Sequence, residues 1–189
     1  MAQIFAAYLF SNIEESLNQH PLKTTVAKTV RTKIIETYPQ IEEYMEQIWS
    51  KKAKVFQSKI KGESHVTLYL IDDKICFIEL RDQPIMPTLR ILHQYPFMMP
   101  HMQCDKGAIK HIFSGSNVMA PGLTSPGGRM DDVEVGEVVA IMAEDKEHAM
   151  GVGITCMSTE EILTENKGIA IELIQFMNDG LWKLTKPKL

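Results

Sequence analysis

DKGAIKHIFSGSNVMAPGL, residues 105–123, packs a helix start, a helix stop and a second turn into one short span. Asp105 is suited to cap the helix, because its carboxylate can accept from a first-turn amide that has no partner within the helix. Gly107 and Ala108 follow in that first turn. Small side chains there let another backbone come close, and a helix start favours negative charge. Gly115 suits the helix end, where the chain often turns through positive φ. Such a surface is expected to accept a phosphate backbone, with Lys106 and Lys110 beside it.

The rest of the chain sets the frame for that surface. It has 189 residues, 44% of them hydrophobic and 23% charged, which suits one or two small domains with real cores and argues against disorder. No apolar run approaches the ~20 residues that span a bilayer. The opening MAQIFAAYLFSNIEES, residues 1–16, lacks a basic leader region and a clear cleavage site, so a frayed leader or short helix is expected rather than a signal peptide. The three cysteines, Cys76, Cys104 and Cys156, are far apart and form no CxxC pair. Buried free thiols in a reducing cytoplasm are the expectation, with no disulfide framework and no metal site.

Net charge is −4, unevenly spread. Residues 1–94 carry 12 Lys/Arg against 11 Asp/Glu, and residues 95–189 carry 8 against 13. Lys51, Lys52, Lys54, Lys59 and Lys61 follow one another without an intervening acid, and Lys28 and Arg31 add charge in the same half. Such a stripe either contacts phosphates or guards an exposed strand edge. In the second half, Asp131, Asp132, Glu134, Glu137, Glu144, Asp145 and Glu147 would repel RNA. An RNA-facing surface is therefore expected away from them, near Lys106, Lys110 and Arg129.

Periodicity supplies the elements. Leu22, Val26, Val30 and Ile34 recur every four residues, which predicts a helix closed by Tyr38-Pro39. Ile41, Met45, Ile48 and Trp49 predict a second short one. AKVFQSKI (53–60), VTLYLI (66–71) and KICFIEL (74–80) read as strands, the last two joined at Asp72-Asp73. Pro87 is expected in the first turn of a helix carrying Leu89 and Leu92 inward and closed by Tyr95-Pro96. A domain boundary is expected between His93 and Pro100. Beyond it, glycines alternate with Met150, Val152 and Ile154, so one strand face admits a close neighbour. Ser158 and Glu161 form a capping box. Residues 169–176 and 181–184 can supply closing strands of a small barrel.

Catalytic motifs are missing. There is no GxSxG, phosphate-binding P-loop, HExxH or GxGxxG. Asp72-Asp73 reads as a turn, since adjacent residues on a hairpin point apart. GLTSPGGR, residues 122–129, lacks the Lys-Ser/Thr ending of a phosphate loop and reads as a turn beside the surface described above. Ser125-Pro126 within it is a minimal proline-directed phosphorylation site. Met98, Met99 and Met102 are expected to fill core space, as are Phe176 and Trp182.

Asp105, Gly107, Ala108, Gly115 and the Pro121-Gly122-Leu123 turn, together with GEVVAI (136–141) and HAMGVG (148–153), resemble the PUA domain, an RNA-binding pseudo-barrel. Adding TLRILHQYPF, GLTSPG, AIMAEDKEHA and NDGLW, residues 22–182 are similar to the malignant T-cell-amplified sequence family of translation factors. The resemblance implies an N-terminal α/β domain with helices and a small antiparallel sheet (1–94), a PUA pseudo-barrel (95–184) and a tail (185–189). It implies a non-catalytic factor, without cofactor, that acts on the small ribosomal subunit in reinitiation, non-standard initiation and tRNA delivery or release, with density-regulated protein as partner. Lys106, Gly107, Ala108, Lys110, Gly122, Leu123 and Arg129 would then meet RNA. Lys28, Arg31, Lys51, Lys52, Lys54, Lys59 and Lys61 would meet rRNA or the partner. An accessory subunit of an RNA-modification enzyme is the alternative. A protein-interaction module that has lost RNA binding is a third reading, favoured by the acidity of the second half.

Overall fold

The computed structural model describes Phe10, residues 18–60 and residues 63–184. Apart from Phe10, the opening 17 residues, Lys61 and the tail at 185–189 lie outside the described residues. The chain divides into two units, one built on Ile13–Met98 and the other on Met99–Lys183 with Phe10.

The N-terminal unit sets an antiparallel sheet beside short helices. In chain order it contains β1 (Gln19–Pro21), α1 (Thr24–Thr37), a 3-10 turn at Pro39–Tyr44, α2 (Met45–Ile48), β2 (Val55–Ile60), β3 (Glu63–Ile71), β4 (Lys74–Leu80), β5 (Met86–Pro87) and α3 (Leu89–Gln94). The strands lie in the order β1-β2-β3-β4-β5. Ser58, Leu68, Ile78 and Met86 stand opposite one another across four strands, each fully buried. Asp72 and Asp73 both take positive φ, 47° and 64°, which matches the right-handed twist of the strands they join. Tyr38 and Tyr95 end their helices at ψ 72° and 65°, held out of the helical region by the prolines that follow.

Two local expectations give way. Val30 and Ile34 are buried, but Val26 is 42% exposed. Residues four apart drift by about 40° around a helix, so a strict four-residue stripe walks off the core within three steps. Pro87 ends β5 opposite Phe77 instead of opening α3, which starts two residues later behind Thr88. At the sheet edge a residue without an N–H leaves no ladder bond unmade.

The C-terminal unit is a curled mixed sheet with short helices at its rim. It runs β6 (His101–Cys104), α4 (Lys106–Ile112), β7 (Val118–Met119), α5 (Ala120–Thr124), β8 (Arg129–Met130), β9 (Val138–Ala143), β10 (Gly151–Thr155), α6 (Thr159–Glu165), β11 (Ile169–Phe176) and α7 (Gly180–Lys183). The strand order is β7-β11-β10-β9-β6-β8, with β6 and β9 parallel. β9 and β10 are buried along their whole length, so β9 reads as a continuous apolar run and β10 as apolar residues and glycines closed by Thr155. A Cβ on Gly153 would lie 2.5 Å from Ile171 Cγ2, the close approach its alternation predicts. Ser158 and Glu161 form the expected reciprocal cap of α6.

Of residues 181–184, expected as a strand, Leu181, Trp182 and Lys183 instead form helix α7 with Gly180. Asp179 decides this. Its carboxylate accepts from Trp182 N at 2.7 Å and Phe176 N at 3.0 Å, which turns the chain and caps the helix. Met98, Met99, Met102 and Phe176 are buried, Met102 and Phe176 in the core of the C-terminal unit. Cys76 and Cys104 are buried, whereas Cys156 is exposed because β10 stops one residue before it.

Candidate nucleic-acid interface

The surface around residues 105–123 is assembled from the end of β6 outward. Asp105 leaves the strand with its N–H donating to Gly122 O at 2.9 Å, and its Oδ1 accepts from Ala108 N at 2.9 Å. A Cβ on Gly107 would sit 3.1 Å from that same Oδ1, and one on Gly122 would sit 3.4 Å from the Ala108 methyl. The small residues therefore do admit a neighbouring backbone, but it is the protein's own α5. At the other end Gly115 has φ +82°, and the amides of Gly115 and Ser116 return to Ile112 O and His111 O at 2.9 and 3.0 Å.

A phosphate lying on the helix start would meet a cap that is already made. The first-turn amide is already served by Asp105, and that carboxylate makes the local field negative. Lys106 is engaged as well, with Nζ 2.8 Å from Asp145 Oδ2 and 3.7 Å from Glu144 Oε1. Its pKa is raised, first by the hydrogen bond to Asp145, and that of Asp145 is lowered by the same bond. Acids expected to lie apart from the basic surface are folded onto it. The parallel register of β6 and β9, Cys104 opposite Ala143, delivers Lys106 and Glu144 from the same ends of adjacent strands.

What stands open is a hollow of about 770 Å³ flanked by α4, the 114–119 segment, α5 and Ile169. Ile112 and Val118 form buried apolar walls, and His111, Ser114, Ser116 and Asn117 place polar groups along it. Asn117 is held in place because its Oδ1 accepts from Leu173 N at 3.0 Å. Of the residues singled out from sequence, Asp105, Gly107, Ala108, Gly115, Pro121, Gly122 and Ser125 line this hollow. Lys106, Lys110 and Arg129 lie outside its lining, on exposed positions of α4 and β8. Leu123 is 1% exposed and belongs to the core, so its side chain packs inward. Sequence reading missed His111, the 116–119 segment and Ile169. The glycine stop at 115 was the available signal, since the chain leaving it must fold back along the helix.

The N-terminal cations fall in different settings. Arg31 pairs with Glu46 at 2.9 Å, and Glu46 also accepts from Lys51 N at 3.4 Å, so Arg31 serves to join α1 to α2. Lys28, Lys51, Lys52, Lys54 and Lys59 are exposed, and no ion pair holds them among the described residues. Of these only Lys59 lies on β2, which runs between β1 and β3, so it does not guard a sheet edge. Lys61 lies outside the described residues.

The described residues contain no cluster of three or more His, Cys, Asp or Glu able to hold a metal ion. Burial pushes the Cys76 thiol up to about 11 and the Cys104 thiol to about 12, which is opposite to what a nucleophile needs. No helix among the described residues is long and apolar enough to cross a membrane.

Known proteins share this arrangement. A Pre-PUA-like domain matches residues 10–96 and a PUA domain matches residues 100–177. Malignant T-cell-amplified sequence 1 of Rattus norvegicus is 45% identical over 175 residues, covering 93% of this chain and 95% of the relative. The homologous protein of Drosophila melanogaster is 48% identical over 166 residues, covering 88% and 90%. A hypothetical protein of Pyrococcus horikoshii superposes with TM-score 0.70 at 25% identity, covering 88% of this chain and 99% of its own. A PUA-domain protein of Aeropyrum pernix superposes at 0.68 with 21% identity, covering 89% and 90%, and shows the fold alone.

Proposed function

Because the chain belongs to the malignant T-cell-amplified sequence family, with a Pre-PUA-like domain ahead of a PUA domain, we propose that it is a non-catalytic RNA-binding translation factor. Family membership and the PUA domain support an RNA-binding, translation-related protein. The finer reading is that it acts on the small ribosomal subunit in reinitiation, non-standard initiation and tRNA delivery or release. Density-regulated protein is its proposed partner, and the cytoplasm its proposed location.

The observation that carries this reading is the hollow beside α4. It joins apolar walls to fixed polar groups, a surface on which a splayed nucleotide of RNA can pack and hydrogen-bond. Affinity for the phosphate backbone would come from Lys110 and Arg129 and from the Lys28, Lys51, Lys52, Lys54 and Lys59 group. Several weak surfaces acting together would give the useful avidity. Ser125 lines the hollow with its hydroxyl donating to Pro121 O, so a phosphate there would place negative charge where RNA enters.

Sedimentation of the purified chain with small ribosomal subunits, with and without density-regulated protein, tests this directly. Co-migration that weakens with salt is expected. Absence from the subunit fraction under both conditions would remove the ribosomal role. Copurification with an RNA-modifying synthase instead would move the chain to the accessory class.

A further inference from the structure

Lys106 stands between two residues that line the hollow, Asp105 and Gly107, yet it is built into an internal contact. Asp105 and Lys106 follow β6, and Glu144 and Asp145 follow β9, whose parallel pairing ends at Cys104 and Ala143. Glu144 N donates to Cys104 O at 3.1 Å, which ties the two strand ends together. Gly127 seats the Glu144 carboxylate. A Cβ there would lie 2.3 Å from Oε2, and Gln103 Nε2 fixes the same glycine by donating to its carbonyl at 2.7 Å. Asp145 sits at φ +61° in the tight turn after β9, which aims its carboxylate at Lys106 Nζ, 2.8 Å away.

We infer that Glu144 and Asp145 are specificity determinants that withdraw the Lys106 charge from RNA, so that the surface refuses a strand held by its phosphates alone and admits one that fills the hollow. This rests on the RNA-binding reading of the hollow. A phosphate approaching Lys106 meets two carboxylates already in place, one of them held by its backbone and by the space at Gly127. It must either displace them or bear their repulsion. Lys106 then releases no net counterion on binding, and the salt dependence of affinity loses its share. Discrimination arises from a built-in repulsive element as much as from attraction.

The test is binding of a labelled, unstructured single-stranded RNA to the full chain over a range of KCl concentrations. The variants are Glu144→Gln with Asp145→Asn, Lys106→Gln, and all three together. Glutamine keeps the shape of Glu144, and asparagine tolerates the left-handed backbone at 145. The double variant is expected to bind about three- to tenfold tighter at low salt, with a salt slope steeper by about 0.7, the share of one single-strand phosphate contact. Adding Lys106→Gln to it should cancel the gain, and Lys106→Gln should cost more in that background than alone. Asp145→Asn by itself, at an exposed turn, should give part of the gain if the double variant folds poorly. Wild-type binding that the double and single variants leave unchanged in affinity and slope overturns the inference alone. Absence of salt-dependent RNA binding in every folded variant overturns it together with the RNA reading.

Discussion

Lys106 and Lys59 are both exposed lysines near strand ends, but they stand in opposite electrostatic settings. Lys59 lies on β2 with no ion pair among the described residues, in a half of the chain that carries a slight positive excess. Lys106 is 64% exposed and is held by two carboxylates in a half that is strongly acidic. Exposure alone therefore says little about a cation's availability. The N-terminal surface can attract a polyanion at a distance, whereas the C-terminal surface has engaged Lys106 internally and offers shape. A protein divided in this way would separate attraction from selection: one unit raises the encounter rate and the other decides what stays.

That division can be broken at either end. Ser116→Trp, at an exposed position on the hollow, should cut RNA affinity at least ~tenfold, about 1.4 kcal/mol, while the thermal midpoint stays unchanged. Anisotropy titration and melting would check it, and undiminished binding would take selection away from the hollow. Lys51→Glu, Lys52→Glu and Lys54→Glu together should lower the salt slope of RNA binding by about 2 and reduce co-sedimentation with small subunits. If the slope holds, the attraction resides elsewhere. Gly127→Ala should cost about 1 kcal/mol of stability in denaturant melts, since it adds a side chain at φ +97° beneath Glu144, yet it should tighten RNA binding by loosening the carboxylates over Lys106. Loss of both stability and binding would separate Glu144 from the charge argument. The smallest effect is expected from Arg31→Ala. Its pair with half-exposed Glu46 is worth at most about 1 kcal/mol, so a larger destabilisation would show that α1 depends on that contact for more than charge.

Much of the fold was legible because it is governed by local rules. Asp72-Asp73 must turn, Ser158-x-x-Glu161 must start a helix, and prolines after Tyr38 and Tyr95 must end two more. The errors also have local causes. A stripe of period four left the core at Val26. Residues 181–184 looked strand-like because their apolar content was weighed without the capping strength of Asp179. Cys156 was expected inside because the alternation before it continues up to Thr155.

The candidate site was half legible. Gly107, Ala108 and Gly122 were found as a group, since glycine and proline punctuation marks close approach, and Ser125 was found separately as a modification site. Leu123 was included with them although it turns inward. His111, Ser116, Asn117 and Ile169 were missed because no short spacing links them.

By itself the sequence determined where helices begin and end, which glycines must face a crowded neighbour, and the family to which the chain resembles a member. These are short-range matters, decided by backbone sterics and hydrogen bonds within a few residues. Only the tertiary structure decided the charge of the candidate surface. Lys106 and Asp145 are 39 positions apart, and only the parallel pairing of β6 with β9 places them 2.8 Å from each other. Coulombic pairing depends on distance in space, and residue order does not fix that distance until the strands are in register.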